Sequence, residues 1–90
     1  LQTGAPPNSI YTYLGKDGKA VSNYIYNSEG DAIYQVDFAK HRRFESGHGH
    51  EMTIPGKLGS GHTTHVPVEQ VPADYKQIPS GVEYSTPLGG

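Results

Sequence analysis

Ninety residues with seven Lys and Arg, nine Asp and Glu and no cysteine describe one small domain of formal net charge −2. That length lies near the lower limit at which a single core holds a fold unaided, and without cysteine neither a disulfide framework nor a thiolate metal site can reinforce it. No run is long and apolar enough to cross a membrane as a helix, which argues against stable insertion, and the first residues lack the basic-then-apolar pattern of an export signal.

Residues 1–8 (LQTGAPPN) read as a linker or a loosely held arm, expected to join this domain to a longer protein that carries any export signal. A single domain is expected over 9–79 and a tail over 80–90. Ser9 to Leu14 alternates, with Ile10, Thr12 and Leu14 on one face and Tyr11 and Tyr13 on the other. GKDG, Gly15 to Gly18, is a hairpin turn around Asp-Gly. Val21 to Tyr26 is the second strand, NSEGD a second turn, and Ala32 to Phe38 the third strand. The segment AKHRRFES follows neither a strand nor a helix period cleanly, and Lys40 to Ser46 is compatible with a helical turn across the sheet. A fourth strand is expected over His50 to Ile54 and a fifth over His62 to Val66, separated by the flexible GKLGSG; one short helix fits near Ala73 to Gln77. Twelve glycines and seven prolines favour short strands and many turns. The predicted class is mainly β, or β-rich α+β: an antiparallel sheet of four to five short strands with little helix. Seven tyrosines against two phenylalanines make phenol rings a main supply of core and cross-strand packing.

Charge is distributed unevenly. Lys40 to His65 carries four basic residues and two acidic ones, a formal +2, while the remainder carries three basic and seven acidic, a formal −4. All five histidines (His41, His48, His50, His62 and His65) fall in that same stretch. A basic segment in an acidic chain suggests an anionic partner, and histidine is the side chain best suited to move protons near neutral pH. On a strand, His48 and His50 share a face, whereas His62 and His65 point to opposite faces unless a bulge or turn intervenes.

Three explanations compete. A zinc site built from histidine pairs with Asp37 or Glu51 is chemically allowed, but no familiar ligand spacing is present and the adjacent Lys and Arg oppose a dication, so no cofactor is expected. Clustering in polar loops without function is the bland alternative. Acid–base chemistry on a phosphodiester fits the composition best: histidines supply base and acid, Arg or Lys holds the charge that builds on phosphorus, and Asp37 fixes an imidazole tautomer.

At these residues a resemblance emerges. The order of a Tyr-rich hairpin, EGDAIYQVDF, KHRRF, GHGH and a second histidine group, from Tyr11 to Pro67, is similar to C-terminal nuclease toxin domains of bacterial polymorphic toxin systems, among them contact-dependent growth inhibition effectors. The section Tyr24 to Phe38 also resembles the repeats that often precede such domains. The resemblance implies a secreted or cell-surface effector tail acting in the cytoplasm of a competing bacterium. It further implies cleavage of tRNA or other RNA, neutralisation by a cognate immunity protein, recruitment in some relatives of a host factor such as elongation factor Tu, and no metal. Asp37, His41, Arg43, His48 and His50 match the pattern, with His62 and His65 in the second group.

Arg43 is expected at the scissile phosphate, since a guanidinium holds two oxygens, with Lys40, Arg42, Lys57 and Thr63 contacting substrate. One of His41, His48 or His50 and one of His62 or His65 are expected as base and acid, or Lys40 in place of one. Such a pair predicts a bell-shaped pH profile with limbs at about 6 to 7. These histidines are expected outside the core, so their replacement would leave the fold intact. The domain is expected to be monomeric apart from its immunity complex. The rival functions are a non-catalytic module that binds nucleic acid or protein, and a zinc-dependent hydrolase.

Overall fold

The computed structural model describes residues 3–38, 47–57 and 65–78. Among them five strands run as one antiparallel meander, hydrogen-bonded in chain order: β1 (Ile10–Leu14), β2 (Ala20–Tyr26), β3 (Ala32–Asp37), β4 (His48–Glu51) and β5 (Val66–Pro67). Two single-turn 3₁₀ segments follow at Val68–Gln70 and Ala73–Lys76. The mainly β expectation is met. The expected helix at 73–77 is only the second of these turns.

Turn chemistry sets the first three strands. At the β1–β2 connection Gly18 donates to Gly15 O (3.0 Å), Asp17 Oδ1 accepts from the Lys19 amide (3.0 Å), and Gly18 takes a φ of 79°. At the β2–β3 connection Asn27 closes the loop with its own side chain, Oδ1 accepting from the amides of Glu29 (2.9 Å) and Asp31 (3.0 Å). Such local side-chain bonds are why Asx residues dominate turns. Residues 3–8 lie along this second turn: Ala5 is buried and donates to Gly30 O, and Asn8 donates to Asn27 O.

The fourth strand starts two residues earlier than expected and stops at Glu51. Met52 still donates to Ile33 O, but Gly56 then donates to Ala32 O and Lys57 to Ile54 O, so the chain turns away at 53–57 instead of extending the ladder. Most of the expected fifth strand, 62–64, lies outside the described residues, as does the 40–46 segment; the described part of the fifth begins at Val66.

Register divides the sheet into two faces. One carries the cross-strand row Ile10, Ile25, Tyr34 and, beside it, Thr12, Asn23, Val36, Gly49, Val66. Ile10, Ile25, Tyr34 and Val36 form the main core with Val71, and Val68 and Tyr75 pack against it. Buried Asn23 fastens this layer. Its Oδ1 accepts from Thr12 Oγ1 (2.6 Å), and its Nδ2 donates to Tyr75 O (2.9 Å) and Gln77 O (2.7 Å), so both ends of the amide are satisfied while the C-terminal 3₁₀ segment is drawn onto the sheet. A bulge between Ile25 and Tyr26 starts a second, smaller cluster of Tyr26, Ala32 and Ala5. No helix of the described residues is long and apolar enough to cross a membrane.

Candidate functional site

The opposite face is polar. Its rows, set by the same register, are Tyr13–Ser22–Asp37–His48–Pro67 and Tyr11–Tyr24–Gln35–His50. His48 and His50 are two apart on β4 and share this face, as strand geometry requires; their rings are nearly parallel with centroids 5.5 Å apart. His65 stands immediately before β5, and the pairing of β5 with β4 brings its ring to 4.7 Å from that of His48 and 4.9 Å from that of His50. One ring nitrogen from each of the three lies within 4.8 Å of the others.

Asp37 organises the edge of this group. Its Oδ1 accepts from Ser22 Oγ (2.6 Å) and Gln35 Nε2 (3.0 Å), and its Oδ2 lies 3.3 Å from His48 Nε2. The carboxylate is thus held by two neutral donors and turned toward one imidazole. This fixes the ring and marks Nε2 as the nitrogen facing the charge, with Nδ1 directed elsewhere. The Nδ1 atoms of His48 and His50 are both buried.

Two glycines make room for this arrangement. Gly47, φ 102°, lets the chain enter β4 where any side chain would collide with the Asp37 carbonyl. Gly49 lies between the two histidines on the other face, where a Cβ would fall 2.6 Å from Val71 Cγ2 and 2.8 Å from Tyr34. The His-Gly-His triplet therefore packs by its glycine on one side and presents imidazoles on the other.

Of the residues expected at the site, Asp37, His48, His50 and His65 come together. Lys57 is exposed in the turn after β4. Lys40, His41, Arg42, Arg43, His62 and Thr63 lie outside the described residues. One expectation is corrected: His48 and His50 are each only 4% exposed, packed on their face against Asp37 and Gln35 of β3, against one another and against His65, whereas His65 is half-buried. Ser22, Gln35 and Tyr24 were missed by sequence reasoning. Ser22 reaches Asp37 through strand register, which becomes visible once β2 and β3 are aligned, and Gln35 through same-face spacing within β3. Tyr24 stands opposite Gln35, and burial first, then the negative charge of Asp37 and the neighbouring Tyr13 phenol, push its hydroxyl above the usual tyrosine value of 10.0, so it is a neutral group at physiological pH. Tyr13, in edge contact with Tyr11 and Tyr24, is 48% exposed and leaves an aromatic surface on the same face as the histidines.

Comparison with known protein families, with curated protein sequences and with solved structures finds no match.

Proposed function

We propose that this domain is a ribonuclease of the interbacterial toxin kind, cleaving tRNA or other RNA by histidine acid–base chemistry. The observation that carries the reading is the convergence of His48, His50 and His65 beside a carboxylate that is itself held by Ser22 and Gln35. In such a site one imidazole takes the proton of the ribose 2′-hydroxyl as that oxygen attacks phosphorus. A second imidazole gives a proton to the departing 5′-oxygen, and a 2′,3′-cyclic phosphate remains. His65, the least buried of the three, is the ring that substrate meets first; His48, aligned by Asp37, stands behind it. Farther along the same face, beyond Ser22 and Asp37, exposed Tyr13 offers bases a stacking platform. The positive charge of Lys40, Arg42 and Arg43 suits a polyanion and, by the same logic, an acidic immunity protein that covers it.

Total bacterial RNA incubated with the purified domain, in buffer and in bacterial lysate, with and without EDTA, tests the reading. Cleavage is expected to survive EDTA, and His65→Ala is expected to lower it by about 10² to 10⁴. No cleavage in either medium would replace the nuclease with a binding module. Cleavage abolished by EDTA would transfer the chemistry to a metal ion.

A further inference from the structure

We propose that His48, His50 and His65 form a site for a first-row transition dication, zinc above all, with Asp37 as its outer carboxylate. The site stands on geometry and donor chemistry alone and does not depend on RNA being the substrate.

Three features argue for it. First, the three imidazoles are delivered by two separate elements, two from one face of β4 and one from the residue before β5, and converge to within 4.8 Å by ligating nitrogen. Nitrogens sharing one tetrahedral zinc ion lie about 3.3 Å apart, given Zn–N near 2.0 to 2.1 Å, so ring movements of about 1 Å close the site around an ion without a change of strand register.

Second, the outer shell is already built. A histidine that binds zinc commonly turns its other nitrogen to a carboxylate, which orients the ring and raises its basicity. His48 does this toward Asp37 Oδ2 at 3.3 Å, and Ser22 and Gln35 fix the carboxylate through Oδ1. The carboxylate also places a negative charge close to where a dication would sit.

Third, the donor set selects the ion. Three neutral nitrogens favour zinc, cobalt, nickel or copper over magnesium or calcium, which want oxygen. Three protein ligands also leave one position of a tetrahedron for water or an anion. A bound ion would occupy the imidazole lone pairs that metal-free acid–base chemistry needs, so metal loading and that chemistry exclude one another at these three rings.

Cobalt(II) titration of the full chain tests the proposal directly. The expected result is one equivalent bound, with the strong visible absorption of a four- or five-coordinate nitrogen site, displaced by Zn²⁺ and not by Mg²⁺. Zn²⁺ in large excess over its dissociation constant is also expected to raise the thermal midpoint by at least about 5 °C. His50→Ala and His65→Ala are each expected to remove the absorption, with far-UV circular dichroism confirming the fold; because His50 is buried, half-buried His65 is the decisive variant. Only the weak spectrum of six-coordinate aqueous cobalt, or strong bands that survive in His65→Ala, would overturn the site. RNA cleavage assayed on the metal-free protein, with EDTA present, judges the nuclease separately, since its absence would leave the cobalt spectrum of the loaded protein unchanged.

Discussion

Asp37 accepts from two donors through one oxygen and faces His48 through the other. Removing His48 therefore strands a carboxylate oxygen beside a new void, whereas removing half-buried His65 exposes little. His48→Ala is predicted to cost about 1–3 kcal/mol of stability, the usual penalty for orphaning a polar group. His65→Ala is predicted to cost less than about 1 kcal/mol. Urea unfolding of the two variants checks this; equal losses would mean that Asp37 and His48 are not energetically coupled. At this scale the sequence was half legible. The two-residue spacing of His48 and His50 announced a shared face, and Asp37 was recognisable as a partner for an imidazole. Ser22 was not recognisable, because a serine in a strand carries no mark of what lies across from it until register is known, whereas Gln35, two residues before Asp37 on the same strand, was legible by the same spacing.

β4 is the element on which packing and chemistry meet. Its glycine lets Val71 and Tyr34 approach the backbone from one side while the flanking histidines use the other. Gly49→Ala places a methyl group 2.6 Å from Val71 Cγ2 and is predicted to destabilise by about 1–3 kcal/mol, the range for overpacking a filled core. A matching fall in thermal midpoint would check it, and an unchanged midpoint would show that Val71 moves aside freely. The meander itself was readable, because Asp17-Gly18 and the Asn27 turn specify their loops locally and the alternation of β1 to β3 follows from a buried face. The ends of β4 were not. Gly47, Gly49 and Pro55 blur a strand's limits in sequence, and a contact with Asp37, far back along the chain, decides where this one begins. Nor did spacing reveal that His65 would lie over β4, since a ladder pairing brings it there.

Across its described residues the molecule assigns the main apolar core to one side of a single sheet and the histidine–carboxylate group to the other, and tyrosines belong to both. Tyr34 in the core and Tyr24 beside Asp37 both hold their protons above the usual 10.0. Burial is the main cause in each case, assisted by Glu51 for Tyr34 and by Asp37 for Tyr24. The sign follows from linkage: the folded state binds these protons more tightly than the unfolded one, so their contribution is intact below pH 10 and is lost as pH rises through the folded values. Thermal stability is predicted to fall above about pH 10, and Tyr24→Phe is predicted to soften that decline; a variant that declines as steeply as the parent would contradict it. The brevity of β5 has another consequence. This strand is two residues long, and one of them, Pro67, has no amide hydrogen to give its neighbour. Beyond it the Val68 amide reaches Gly47 O at 3.2 Å. The third imidazole therefore rides on a weakly paired latch, and this edge of the sheet is expected to exchange its amide hydrogens sooner than β1 to β3 do. Whatever grips His65 holds that latch down, and slowed hydrogen exchange at Val68 would report its arrival.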